Sequence, residues 1–187
     1  MIGFIIRQIR GPLVLILAAA SILYGFFLLQ LLPFWSAMAE AQSGRELQAT
    51  PFFSAERLNA AFAAFDAATR QDALSFYALD VLNALLFALS IAALMGYALR
   101  RLNIEASPWR WLLVLPLASG AFDLIENGLL TGLLLTHPGA PAWIATLAGI
   151  CTGLKAIAGM AAIAIMLILM IIAGARHAWR QLNPAGD

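Results

Sequence analysis

Four ionisable side chains lie within long apolar stretches of this chain. Lys155, the only lysine, is near the middle of the most apolar stretch, and the carboxylates Asp80, Asp123 and Glu126 lie in neighbouring ones. An ionised side chain at the centre of a bilayer costs about 2.5–3.5 kcal/mol, so four unpaired ones would cost about 10 kcal/mol. We therefore expect these groups to meet one another, water or a ligand.

Further polar residues are spaced so that they would face a shared interior. Side chains three or four positions apart lie on one face of a helix. The residues that share such faces are Ser119, Asp123, Glu126, Asn127 and Thr131 in the third apolar stretch, Tyr77, Asp80 and Asn83 in the second, Thr152 and Lys155 in the fourth, and Ser21 and Tyr24, as weaker candidates, in the first.

Three carboxylates around one ammonium carry a formal charge of −2, which a low-dielectric interior does not tolerate. One or two carboxyls stay protonated, a cation binds, or a ligand brings positive charge. We predict that Lys155 pairs with Asp123 or Glu126, and that at least one other carboxyl is neutral. A protonated carboxyl beside an ionised one suits acid–base chemistry, with Asp123 and Glu126 as the candidate catalytic pair and Lys155 stabilising negative charge. The candidate ligand-binding residues are Asp80, Asn83, Asn127, Thr152, Tyr77, Tyr24 and Ser119.

The composition predicts an all-α integral membrane protein. Hydrophobic residues make up 63% of the chain and charged residues 11%, against about 45–50% and 25% in globular proteins. Four segments have the roughly 20 residues that a transmembrane helix needs, which predicts a single four-helix bundle over residues 1–187. The first apolar run, about 22 residues long, exceeds the 7–15 of a signal peptide, so we expect a retained anchor. The predicted spans are Gly11–Leu32, Leu74–Leu99, Trp111–Leu135 and Trp143–Ala173.

The positive charges predict the orientation. Cytoplasmic loops carry an excess of Arg and Lys, which places both termini and the second loop in the cytoplasm, in a bacterial inner membrane. Counted at about 1.5 Å per residue from the outer ends of the spans, the polar residues share a layer in the outer half of the bilayer. The arginines used are Arg7 and Arg10 before the first span, Arg100, Arg101 and Arg110 between the second and third, and Arg176 and Arg180 after the fourth.

The long first loop, Pro33–Gln71, is predicted to be extracytoplasmic and to contain a short amphipathic helix, Ser54–Arg70. Ser54 is a suitable N-cap, and Leu58, Phe62 and Phe65 would form the apolar stripe. Such a helix would rest on the interface or on top of the bundle. The alternative is a lid over an outward-facing cavity.

Small residues and one proline predict how the helices approach each other. Gly128 with Gly132, and Gly149 with Gly153, have the GxxxG spacing that allows close helix packing. Small-residue faces of this kind also allow contact with a second copy or with another membrane protein. Pro116 is predicted to kink the third span and open space near the polar residues.

Several classes of function receive no support from the sequence. The formal net charge is +1 and no basic run is present, so a nucleic-acid partner is not expected. The single cysteine and the two histidines have no zinc-ligand spacing, so no metal site is predicted, and no particular cofactor is implied. The usual enzyme signatures of soluble folds are absent.

Three functions remain open. The first is binding of a lipid or other amphiphile, or acid–base chemistry on it, with the polar group at the charged residues and the chain in apolar surroundings. The second is a structural or accessory subunit whose buried charges fix helix packing. The third is proton or cation translocation, which the lack of ionisable groups in the cytoplasmic half of the spans argues against.

Overall fold

The structure is a computed structural model that describes residues 11–42, 47 and 50–183. Arg7, Arg10, Arg45 and Glu46 lie outside these residues. Four helices are long and apolar enough to cross a membrane, as the sequence predicts, and the described residues include no strand. The helices are α1 (Gly11–Phe26, continued by a π-helical turn, Phe27–Leu31), α2 (Phe34–Ala41), α3 (Ala55–Ala63), α4 (Ala67–Arg101), α5 (Val114–Thr136, preceded by a 3₁₀ turn, Pro108–Leu113) and α6 (Ala142–Leu182).

The predicted single helix Ser54–Arg70 is wrong, because the structure has two helices there. Ser54 caps α3 as predicted, since its side chain accepts a hydrogen bond from the Arg57 N–H at 3.2 Å. Asp66 then caps α4, accepting from the Thr69 N–H at 2.7 Å. This bond holds the pKa of Asp66 below its usual range. A second capping residue thus ends the short helix early and begins the membrane-length one seven residues before the predicted span.

The described residues form two apolar cores, one at each end of the long helices. We call these ends the loop end, beside the first loop, and the arginine end, where Arg100, Arg101 and Arg110 lie. At the loop end, α2 and α3 pack with the adjoining turns of α4, α5 and α6 around Phe62, Phe76 and Leu130. At the opposite, arginine end, the side chains of Met95, Leu99 and Leu113 form a second apolar core with residues of α6. The helix α2 was not predicted, because eight residues give little hydrophobic periodicity.

The long helices pack side by side, with α5 against both α4 and α6, while α1 packs mainly against α4. Two glycines lie at close approaches between these helices. A Cβ on Gly120 would lie 2.7 Å from the Cβ of Ala88, and a Cβ on Gly159 would lie 3.0 Å from the Ser119 hydroxyl oxygen. A side chain at Gly120 would clash with α4, and one at Gly159 would displace the Ser119 hydroxyl. Glycine at both positions therefore lets α5 approach α4 and α6 closely.

The glycine pair Gly128 and Gly132 does not mediate helix packing. Both residues are exposed on α5, and a Cβ on either would have no neighbour within 4 Å in the described part of the chain. Their spacing therefore does not reflect close helix packing within the described residues.

A loop, rather than a helix, packs against the second glycine pair, Gly149 and Gly153. The segment Thr50–Ser54, which we call the strap, lies across α6, and the Phe52 N–H donates to the Gly149 carbonyl at 3.1 Å. A Cβ on Gly149 would overlap the Phe53 carbonyl, and one on Gly153 would overlap the Phe52 ring. Phe52 has a φ of 57°, in the left-handed region that few non-glycine residues adopt.

Pro116 does not kink the middle of a helix. It is the third residue of α5 and follows the 3₁₀ turn directly. The N–H that proline lacks is one of those without an α-helical partner at this position, so proline is tolerated there. The residue marks where α5 begins and lies at the arginine end, one turn before Ser119 and two before Asp123.

Candidate functional site

The single lysine lies between two carboxylates of the neighbouring helix. Lys155 projects from α6, and its Nζ is 2.8 Å from Asp123 Oδ1 and 2.6 Å from Glu126 Oε2. Asp123 and Glu126 are three residues apart on α5, so one ammonium group contacts both. The side chains of Lys155 and Asp123 are each 19% exposed, whereas that of Glu126 is fully buried. This ion triad therefore has one closed side and one accessible side.

The third carboxylate, Asp80 of α4, accepts hydrogen bonds from two side-chain amides. Asn83, on the same helix, donates to Asp80 Oδ1 at 3.0 Å, and Asn127 of α5 donates to Asp80 Oδ2 at 2.9 Å. Asn127 follows Glu126 directly, so the two halves of the site share one turn of α5. We call Asp80, Asn83, Asp123, Glu126, Asn127 and Lys155 the polar cluster.

The predicted hydroxyl residues surround the polar cluster but donate their protons elsewhere. Ser119 donates to the Lys155 carbonyl, Thr152 to the Ala148 carbonyl and Tyr24 to the Leu79 carbonyl, each at 3.0 Å. Thr152 also lies beside Glu126, and Tyr24 lies near Asp80. Ser119 and Tyr24 each join two helices through these bonds, whereas the Thr152 bond lies within α6.

Tyr77 lies in the apolar core at the loop end, and its ring packs edge-on against Phe76.

On α5, the Thr131 hydroxyl donates to the Asn127 carbonyl at 2.7 Å. The predicted polar stripe of α5 thus divides into side chains that contact other helices and one that contacts its own backbone. Ser21, the weaker candidate on α1, is half-buried.

Three buried acceptor atoms of the polar cluster have no hydrogen bond among the described residues. They are Glu126 Oε1, Glu126 Oε2 and Asn127 Oδ1. Glu126 Oε2 contacts Lys155, and the Thr152 hydroxyl, although nearby, donates to the backbone. Buried polar atoms are normally satisfied, so such atoms point to an unseen donor. In the described ranges, no three His, Cys, Asp or Glu side chains are arranged to hold a metal ion.

Sequence reasoning missed the residues that bring the polar cluster together. Gly120 allows the α4–α5 approach that places Asn127 against Asp80, and a Cβ on Gly25 would lie 3.4 Å from Asn83 Oδ1. The sequence did contain a signal for this approach, because Gly120 lies about two helical turns from Asn127 on a nearby face of α5.

The described cavities include a groove of about 530 Å³ at the arginine end, lined mainly by apolar side chains including Trp109, Ile168 and Leu169, with Arg176 at its edge. Its nearest residue on α6, Ile165, is more than two helical turns from Lys155, so the groove is separate from the polar cluster.

Comparisons of the chain with protein-family models, curated proteins and solved structures give no match. The site must therefore be interpreted from its own chemistry.

Proposed function

We propose that the protein is an integral membrane protein that binds a lipid or other amphiphile, with the polar group of the ligand at the polar cluster. The observation that carries this proposal is the partly exposed edge formed by Lys155 and Asp123, beside the buried Glu126. Ionisable residues within a membrane are costly and mark functional sites. The apolar helix surfaces around this edge would accommodate a hydrocarbon chain.

Acid–base chemistry on the bound amphiphile is the catalytic form of the same proposal. Asp123 is the carboxyl that a ligand can reach, while Glu126 is enclosed and shares Lys155 with it. A proton moving between Asp123 and the ligand would leave Lys155 in place to stabilise the negative charge that develops. Asn83 and Asn127 would fix the orientation of Asp80.

We place both termini in the cytoplasm of a bacterial cell and the loop end outside. Support comes from the arginines Arg100, Arg101, Arg110, Arg176 and Arg180, which lie at one end of the helices. In this orientation the polar cluster lies in the outer half of the bilayer. The exposed glycines Gly128 and Gly132 are the proposed surface for a second copy or another membrane helix.

The test is to identify what copurifies with the protein by native mass spectrometry, for the wild type and for Asp123→Asn and Glu126→Gln. We expect a bound amphiphile in the wild type and its loss from both variants while they stay folded. Glu56→Gln, the same chemical change on the exposed surface of α3, should retain the ligand. A ligand that all variants retain equally would contradict a site at the polar cluster.

A structural role is the second candidate, because polar contacts join the helices in pairs. Tyr24 links α1 to α4, Asn127 links α5 to α4, and Lys155 links α6 to α5. Interhelical hydrogen bonds in membranes average about 0.6 kcal/mol, so such links would mainly fix the register of the helices. Loss of folding in both cluster variants, with no ligand found in the wild type, would favour this role.

A further inference from the structure

The polar cluster contains more negative than positive charge. Asp80, Asp123 and Glu126 are three carboxylates, and Lys155 is the one cation that contacts any of them in the described part of the chain. When all four are ionised, the formal charge is −2. Lys155 already contacts two carboxylates, so its positive charge is shared before any ligand arrives.

The polar cluster also has more hydrogen-bond acceptors than donors. The amide groups of Asn83 and Asn127 both donate to Asp80, and the Thr152 hydroxyl donates to a backbone carbonyl. Meanwhile Glu126 Oε1 and Asn127 Oδ1 are buried and lack donors among the described residues. A ligand group that carries both positive charge and hydrogen-bond donors would complement this site.

We infer that the polar group of the ligand is a protonated amine, so that the protein binds a cationic amphiphile. This inference rests on the proposed function and specifies its ligand. An ammonium group supplies both the charge and several N–H donors, and hydrogen bonds between ionised partners are about twice as strong as neutral ones. An anionic headgroup would add to the negative charge and would compete with Asp123 and Glu126 for Lys155.

The ligand reaches the polar cluster from the side that Asp123 and Lys155 leave open. Both are 19% exposed, whereas Glu126 is fully buried behind them. The helix α1 packs mainly against α4 and does not cover α6 to a similar extent within the described residues. An amine that approaches along the membrane therefore meets the Asp123 carboxylate first.

The experiment compares four amphiphiles that share a dodecyl chain, bound to the full-length protein in phosphatidylcholine nanodiscs. The probes are dodecylamine, dodecyltrimethylammonium, dodecyl phosphate and dodecyl maltoside, and the readout is the dissociation constant. We expect dodecylamine to bind about tenfold more tightly than dodecyltrimethylammonium, which has the charge but no N–H donor. Dodecyl phosphate and dodecyl maltoside should show no saturable binding.

Variants locate the binding. Glu126→Gln should weaken dodecylamine binding by about tenfold, and Glu56→Gln should leave it unchanged. If Glu126→Gln does not fold, Asp80→Asn provides the same test of charge, and the wild-type series stands without either variant. Equal binding of dodecylamine and dodecyltrimethylammonium, or no effect of the cluster variants, would overturn the inference.

The outcomes also separate this inference from the proposed function. Saturable binding of dodecyl phosphate that is lost in Lys155→Met would show a ligand site of the opposite charge, so the inference would fail and the proposed function would stand. If none of the four probes bound in a way that depends on the polar cluster, the proposed function would fail as well.

Discussion

At the scale of single residues, the unusual feature is that one ammonium group contacts two carboxylates between two membrane-length helices. Lys155 lies within 2.8 Å of both Asp123 and Glu126. Charges in such a setting are destabilising unless they are paired, so removing one partner affects the others. The three side chains should therefore behave energetically as a unit.

The substitution Lys155→Met tests this coupling. It keeps the length of the side chain but leaves Asp123 and Glu126 without a cation, so we expect it to lower the free energy of unfolding by about 3–5 kcal/mol. Unfolding in mixed detergent micelles measures the change.

The matched control removes all three charges. The triple variant Lys155→Met, Asp123→Asn, Glu126→Gln leaves no unpaired charge among these three side chains and should regain most of the lost stability. If Lys155→Met alone were as stable as the wild type, the carboxyls would not need the lysine, and both would be protonated in the folded protein.

At the scale of secondary-structure elements, the membrane spans could be predicted from the sequence because the bilayer imposes a simple rule. A helix that crosses it needs about 20 apolar residues and turns its polar residues inward. That rule predicts the four long helices and the contact of Lys155 with the α5 carboxylates. It does not apply in the first loop, where the capping residues Ser54 and Asp66 determine the helix limits.

Close packing was predicted less well, because glycine spacing shows that something can approach a helix but not what does. The pair Gly149 and Gly153 meets the strap, whereas Gly128 and Gly132 meet nothing in the described residues. The strap itself has no periodic pattern, and its position depends on Phe53 entering the core at the loop end. Contacts between distant segments of this kind leave no signal in a single sequence.

A pair of alanine substitutions separates the two glycine pairs. In Gly149→Ala the new Cβ would overlap the Phe53 carbonyl, so we expect a loss of about 1–3 kcal/mol and faster hydrogen exchange in the strap. In Gly128→Ala the Cβ enters open space, and replacing a helical glycine should add about 0.5–1 kcal/mol.

Thermal unfolding and hydrogen-exchange mass spectrometry give the two readouts. Equal effects of the two substitutions would mean that the strap does not hold α6. A loss of stability in Gly128→Ala alone would instead indicate that this face is covered in the assembled protein, which would support the proposed contact with another helix.

At the scale of the whole molecule, the two ends differ in charge. The arginine end carries Arg100, Arg101 and Arg110 around one connection, while acidic residues such as Glu56 and Asp66 lie at the loop end. Arginine-rich segments stay in the cytoplasm during insertion. The polar cluster is nearer the loop end, so the orientation decides from which side a ligand of that site is drawn.

Cysteine labelling tests this orientation. Cys151, the only native cysteine, is 4% exposed and is replaced in the background Cys151→Ala. Asn59→Cys on α3 and Ala106→Cys in the connection after α4 are both at exposed positions. A membrane-impermeant maleimide should label Asn59→Cys in intact spheroplasts and Ala106→Cys only after permeabilisation, because the arginines hold the second connection inside. The opposite pattern would invert the protein and would put the polar cluster in the cytoplasmic half of the bilayer, where amphiphiles of the inner leaflet, rather than of the outer one, would reach Asp123.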